Sequence, residues 1–314
     1  MVEQIVQVNT YPFGQCGEEP LLVLNATGAE VRMNPHERRL KPDEVRGLIV
    51  DADAVIAGTE PYTREVLSEC PDLKAICRVG VGFDNVDLEA CRDLDIVATY
   101  TPEAPADGVA ELTVGLILSL IRGITWSNDS ILAGNWDRHI GTLLSEHTVG
   151  ILGVGRIGSR VLRLLRPFGA RMLGCDIDPK DESVEYVNKG ELFRRCDVVT
   201  VHVPLNPTTR YLVGFDEIHS MPRCSFLVNT SRGPIVDEYG VLSHLGDRLA
   251  GYGADVFENE PYTGPLIKYP NVVLTAHIGA SARQSRFLME LGAAKDCANV
   301  LAGRPPENPI EVGP

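Results

Sequence analysis

The sequence predicts an α/β fold, with parallel sheets, in two domains. Three observations predict it: a length of 314 residues, a repeated alternation of short apolar runs with polar helix-like segments, and a glycine-rich strand–turn–helix near the middle. At that length each half can bury its own core. A composition of 44% hydrophobic and 23% charged residues is that of a globular chain and excludes a disordered one.

In the first hundred residues, Ile5 to Val8, Leu21 to Leu24, Ala54 to Ala57 and Lys74 to Arg78 read as strands. Pro35 to Val50 and Thr63 to Cys70 read as helices. Thr101-Pro102-Glu103-Ala104-Pro105 interrupts the pattern as a linker. A helix follows, with Asp107 as its expected cap, Arg122 near its end and Gly123 near its stop. Val109, Leu112, Leu116, Ile117, Leu120 and Ile121 make its apolar surface wider than one stripe, so it is buried in the core or against a second subunit.

From His147 the rhythm is strand–helix–strand: Thr148 to Leu152, Ile157 to Phe168, Arg171 to Cys175. Further strands are expected at Asp197 to Val203, Ser225 to Asn229, Gly251 to Val256 and Val272 to Ala276, and a closing helix at about Ala282 to Leu301.

Charge narrows the function. The net charge of −14, from 43 acidic and 29 basic residues, argues against a nucleic-acid or anionic-membrane partner. An anionic ligand would need local arginines or backbone amides. The N-terminus lacks the basic start and apolar run of a secretory signal, and no stretch reaches the roughly 18 apolar residues of a membrane span. The eight cysteines form no C-x-x-C pair and include Cys77 and Cys175 inside apolar runs, so they read as reduced and the compartment as cytoplasmic. No metal-ligand pattern stands out.

Gly153-Val154-Gly155-Arg156-Ile157-Gly158 is a full G-x-G-x-x-G between a strand and a helix, and Asp176 ends the next strand 21 residues after Gly155. Gly153 permits the tight turn, Gly155 lets backbone approach a pyrophosphate, and Gly158 permits close helix–sheet packing. The helix opened by Arg156 and Ile157 offers N–H groups to the phosphates. Asp176 can accept from ribose hydroxyls and would repel a 2′-phosphate, which favours NAD over NADP. Asp178 lies past the strand end and ranks below it.

In a doubly wound sheet chemistry gathers at the carboxyl ends of strands. Three late strands there carry Thr230-Ser231-Arg232-Gly233, Glu258-Asn259-Glu260-Pro261 and His277-Ile278-Gly279. A histidine exchanges a proton near neutrality, a neighbouring carboxylate orients its ring, and an arginine binds a carboxylate with two hydrogen bonds. The trio suits hydride transfer to a carbonyl.

With Arg78-Val79-Gly80-Val81-Gly82-Phe83-Asp84-Asn85-Val86-Asp87, Asn229-Thr230-Ser231-Arg232-Gly233, Asp255-Val256-Phe257, Glu260-Pro261 and His277-Ile278-Gly279, the chain resembles the D-isomer-specific 2-hydroxyacid dehydrogenases over nearly its whole length, within them the phosphoglycerate dehydrogenase-like branch. The resemblance implies that Arg232 binds the substrate's carboxylate and oxo groups, that His277 is the general acid/base and that Glu260 orients it. It implies that Asp255 holds the nicotinamide carboxamide, with Thr230 among the cofactor contacts, and that amides around Val79 to Gly82 hold the substrate carboxylate. It further implies Rossmann-like and flavodoxin-like domains with a cleft between them. A nucleotide domain, 101–284, would be inserted in a catalytic domain of 1–100 plus 285–314, and a homodimer would form through the nucleotide domain. Formate dehydrogenases of the family pair their histidine with glutamine, so Glu260 points away from that activity.

The expected substrate is a small 2-hydroxy or 2-oxo acid, 3-phosphoglycerate first and unphosphorylated acids such as glycerate or glyoxylate second. Phosphoglycerate-type members tend to be basic where this chain has Gly58-Thr59-Glu60, and Glu60 near a phosphate would be unfavourable. Arg78 and Arg138, the latter reaching from a dimer partner, are the candidate phosphate grip. The C-terminal regulatory domain of longer phosphoglycerate dehydrogenases, and feedback control by serine through it, is not expected. A reading of another class is an NAD(H)-sensing binding protein, since the resemblance includes transcriptional corepressors. The intact Arg232, Glu260 and His277 set favours the enzyme.

Overall fold

A computed structural model describes residues 4–311. In chain order its elements begin β1 (Ile5–Val8), α1 (Glu19–Asn25), β2 (Glu30–Arg32), α2 (Pro42–Ile49), β3 (Ala54–Ala57), α3 (Arg64–Leu67), β4 (Ala75–Arg78), α4 (Leu88–Asp93) and β5 (Val97–Thr99). There follow α5 (Ala106–Arg122), α6 (Ile124–Leu132), β6 (Thr148–Leu152), α7 (Arg156–Leu165), β7 (Arg171–Cys175), β8 (Glu185–Tyr186), α8 (Lys189–Arg195) and β9 (Val198–Val201). The chain ends through α9 (Phe215–Ser220), β10 (Ser225–Asn229), α10 (Glu238–His244), β11 (Leu249–Ala254), β12 (Val272–Leu274) and α11 (Arg283–Leu301). It divides into two compact units: the described part of Met1–Pro105 with Ala280–Pro314, and Ala106–Gly279.

The first unit holds a five-stranded sheet in the order β2-β1-β3-β4-β5, all pairs parallel. Its direction of winding changes between β1 and β3, the flavodoxin-like arrangement. The central strands β3 and β4 are buried throughout, as strands covered on both faces must be. One face carries Val45, Ile49, Leu67 and Ile76 in a common core, and α11 covers the other through Met289, Ala293, Ala294 and Cys297.

The second unit holds a seven-stranded parallel sheet, β12-β11-β10-β9-β6-β7-β8. Its winding reverses between β6 and β9, the Rossmann switch point. Helix α5 packs on α7, β10 and β11 and buries Leu116, Ile117, Leu120 and Ile121, which makes it a core helix of this unit. Among the described residues no single helix is long and apolar enough to cross a membrane.

Several expectations are corrected. Leu21 to Leu24 is not a strand but the middle of α1: Pro20 opens the helix, and Pro20 and Leu24 are buried one turn apart while Leu22 is exposed. The strand of that region is Glu30–Arg32, a short polar edge strand with no apolar run to mark it. The helix expected over Pro35 to Val50 starts only at Pro42, because Asn34 holds the preceding segment in a turn by accepting from the His36 amide and donating to the Asn9 and Arg38 carbonyls. Helix α3 is shorter than Thr63 to Cys70, with Thr63 as its N-cap. Asp107 lies inside the first turn of α5 and pairs with Arg160 at 2.8 Å instead of capping the helix. Gly123, with φ +61°, separates α5 from α6.

Candidate active site

In the second unit the glycine loop lies at the switch point, between the carboxyl end of β6 and α7. Gly153 has φ +91°, and a Cβ there would meet the backbone of His202, which follows β9. At Gly158 a Cβ would overlap the Gly153 carbonyl oxygen, so this helix can leave the sheet so closely only with glycine. Gly155 differs from both. Nothing lies within 4 Å of a Cβ built on it, so no protein contact demands a glycine there. Open space at the second glycine, next to the N–H groups of Arg156, Ile157 and Gly158 at the start of α7, is what a pyrophosphate needs. Asp176, one strand along, is half-buried and accepts from the Val154 amide at 2.6 Å and the Asp178 amide at 2.9 Å. Its carboxylate is thereby fixed beside the loop. Asp178 itself pairs with Lys180. The residues present fit NAD.

His202, which the sequence reading did not single out, backs this loop. Its Nε2 lies 2.9 Å from the Thr200 hydroxyl, and burial lowers the imidazole pKa to about 3, so it is neutral where the protein functions.

The strand-end trio occupies three adjacent loops of the same sheet. After β10, Thr230 is buried with its hydroxyl 2.9 Å from that of Thr113 on α5. Asn229 closes the next turn by donating to the Arg232 carbonyl and accepting from the Ser231 amide. The Arg232 guanidinium donates to the Ser231 carbonyl at 2.9 Å. Gly233 brings this loop against the one after β11: a Cβ on it would overlap the Phe257 and Glu258 backbone.

After β11, Asp255 is only 1% exposed. One of its oxygens accepts from the Thr275 hydroxyl at 2.6 Å and the Ile278 amide at 2.8 Å, the other from the Gly279 amide at 2.8 Å. It therefore fixes the turn that carries His277, whose φ is +54°, an unfavourable value for a residue with a side chain. Glu260 accepts from the Phe257 amide through one oxygen and from His277 Nδ1 through the other, at 2.9 Å. An ionised carboxylate only accepts, so Nδ1 carries the proton and Nε2 is left to exchange one. Both side chains are partly exposed, 33% for His277 and 21% for Glu260.

In the first unit Arg78 ends β4 and is buried; it donates to the Val79 carbonyl, and its Nε reaches the Asn85 side chain at 3.4 Å. Of the following amides, Val79 donates to the Ala57 carbonyl and Gly80 to the Thr101 hydroxyl at 2.8 Å. Among the described residues the Val81 and Gly82 amides have no acceptor. Arg138 belongs to the exposed stretch 135–140 of the second unit.

The glycine geometry separates two substitutions. Gly158→Ala should destabilise the fold by about 3 kcal/mol, through overlap with the Gly153 carbonyl. Gly155→Val should leave the melting temperature near that of the parent and weaken NADH binding at least tenfold, read by nicotinamide fluorescence.

The NAD-binding domain model of the D-isomer specific 2-hydroxyacid dehydrogenases matches residues 114–279. A D-3-phosphoglycerate dehydrogenase of Methanocaldococcus jannaschii is 36% identical over 287 residues, 87% of this chain; the match spans 54% of that protein, about half its length. A glyoxylate reductase of Thermofilum pendens is 34% identical over 280 residues, 84% of this chain and 83% of its own length. A crystal structure of a Thermus thermophilus protein superimposes with a TM-score of 0.90 at 32% identity, covering 98% of this chain and 100% of that one. The chain belongs to the D-isomer specific 2-hydroxyacid dehydrogenase family and is an NAD-dependent oxidoreductase.

Proposed function

We propose that the protein transfers hydride between NAD(H) and a small D-2-hydroxy acid or its 2-oxo acid, with His277 as the general acid/base. The observation that supports it most is the His277–Glu260 hydrogen bond of 2.9 Å, set beside the Arg232 loop by the glycine contact at Gly233. NAD supplies the hydride donor or acceptor when bound, on the Gly153–Gly158 loop with Asp176 toward the ribose. Arg232 binds the substrate carboxylate and polarises the C2 oxygen. His277 Nε2 gives a proton to that oxygen in reduction and takes it back in oxidation, while Glu260 holds Nδ1 and stabilises the imidazolium. Asp255 sets the histidine turn first; a nicotinamide carboxamide would share its Oδ2. The Val81 and Gly82 amides are the ones left to bind the substrate carboxylate.

Between phosphorylated and unphosphorylated acids the second is favoured. Arg78, one half of the expected phosphate grip, is buried against its own loop, where its Nε reaches the Asn85 side chain. An NAD(H)-sensing protein without turnover would have no use for the His277–Glu260 pair.

A homodimer fits the second unit. Helix α6 has no buried residue, and Trp126, Leu132, Trp136 at 77%, Ile140 at 93% and Leu143 form a run of exposed apolar side chains larger than single surface residues explain.

NADH oxidation by the purified protein is expected with at least one of glyoxylate, hydroxypyruvate, pyruvate and 3-phosphohydroxypyruvate. In His277→Ala turnover should drop by at least three orders of magnitude while NADH still binds; loss of NADH binding in that variant would remove the assigned role. The double variant Trp136→Asp, Ile140→Asp should run as a monomer in light scattering if the run is a subunit interface, and as the parent does if it is not.

A further inference from the structure

The loop that presents Glu260 to His277 has little main chain to hold it. Among the described residues, neither the Glu258 and Asn259 amides nor those of Tyr262 to Gly264 donate to a backbone carbonyl. A segment with so few backbone bonds opens readily unless side chains fix it. Yet Glu260 meets His277 Nδ1 at 2.9 Å, and its other oxygen accepts from the Phe257 amide at 3.1 Å. The side chains of the loop show what holds it so.

Phe257 and Tyr262 stand on either side of Glu260 in sequence, and their rings stack with centroids 4.2 Å apart and 22° between the planes. The stack therefore closes the loop on the very residue whose amide holds Glu260. The Tyr262 hydroxyl donates to the Glu238 carboxylate at 2.8 Å, at the start of α10, and accepts from the Leu266 amide at 3.1 Å. A Cβ on Gly264 would stand 2.4 Å from that hydroxyl, so glycine two residues on leaves the ring its place. Desolvation pushes the Tyr262 hydroxyl up to about 12, so it keeps its proton, and its bond to Glu238, where histidines titrate. On the other flank Glu258 accepts from the Tyr211 hydroxyl and the Arg210 guanidinium, both at 2.6 Å. Those three side chains are each between a third and a half exposed, so this flank is the weaker one.

We infer that Tyr262 is a positioning residue for the acid/base pair: anchored on Glu238 and Leu266, it closes the loop on Phe257 and so keeps Glu260 toward His277 Nδ1. The inference rests on the dehydrogenase reading above and adds a residue on which that site depends. Tyr262 acts only through the loop, since its hydroxyl is already engaged as donor and as acceptor. In reduction His277 must be charged to give up its proton, and the Glu260 carboxylate favours that form. A looser loop takes Glu260 away from Nδ1 for part of the time. Turnover then falls, and the pH above which reduction is lost moves down.

The test follows NADH oxidation across pH, with the best 2-oxo acid of the panel, in the parent, Tyr262→Phe, Glu260→Gln and the double variant. Circular dichroism shows that each is folded. Tyr262→Phe keeps the ring stack and loses both hydroxyl bonds. Its kcat should fall roughly tenfold with the KM for NADH within about twofold of the parent, as a small misplacement of a catalytic group does. The alkaline loss of kcat should move down by about half a pH unit or more, the direction expected when a carboxylate is drawn away from an imidazolium. In the Glu260→Gln background the same change should cost less than about twofold, because residues in one chain of contacts do not act additively. Glu238→Ala, which removes the acceptor, should reproduce the loss, and Glu238→Gln, which keeps one, should restore most of it. A Tyr262→Phe protein with the kcat and pH profile of the parent overturns the inference. So does an equal loss with and without Glu260, which is the mark of a structural role. If Tyr262→Phe does not fold, Glu238→Ala decides by the same measurements, and values like those of the parent overturn the proposal. A parent that binds NADH but oxidises it with none of the acids would instead remove the dehydrogenase reading, and this proposal with it.

Discussion

The arrangement of the candidate active site depends on one buried carboxylate. Asp255 directly follows β11 and accepts hydrogen bonds from Thr275, Ile278 and Gly279, all in the loop after the neighbouring edge strand. Hydrogen bonds to a charged group are roughly twice as strong as neutral ones. Together they hold a turn in which His277 adopts a left-handed backbone conformation that a histidine does not choose alone. That conformation presents Nδ1 to Glu260, which is itself anchored by the Phe257 amide. A buried carboxylate without such donors would be strongly destabilising, so the turn and the charge each make the other tolerable. The histidine is positioned by the strand next door rather than by its own neighbours in sequence.

The two sheets place their polar groups by a shared rule. Parallel strands are buried on both faces, which leaves their carboxyl ends as the edge where backbone and polar side chains can meet a ligand. In the second unit that edge carries the glycine loop, Asp176, Arg232, Glu260 and His277. In the first it carries Asn9, Glu60, Arg78 and the Val81 and Gly82 amides. The glycines divide their tasks: Gly153, Gly158 and Gly233 are fixed by backbone that passes too close for a side chain, whereas Gly155 keeps a space open.

Much of this was legible in the sequence where the signal is local. Strands of five residues with continuous apolar character, Thr148–Leu152, Arg171–Cys175 and Ser225–Asn229, have the bounds read from the chain, because buried parallel strands leave an uninterrupted apolar run. The glycine spacing and the strand-end trio were legible for the same reason. Leu21 to Leu24 misled, since four apolar residues in a row fit a strand or one face of a short helix, and the proline just before the run decides it. Helices α8, α9 and α10 are two turns or less and show no periodicity to read. The role of Asp255 in the turn was not legible, since it rests on contacts distant in sequence and on burial that an acidic residue does not advertise.

The most direct test of the account is chemical rescue of His277→Ala by free imidazole, followed as NADH oxidation with the best 2-oxo acid of the panel at saturating cofactor. If His277 exchanges the proton at the C2 oxygen from the place that Asp255 and Glu260 give it, turnover should return in proportion to imidazole concentration. A variant that binds NADH and substrate but shows no response to imidazole, or one whose turnover without imidazole stays near that of the parent, would contradict it.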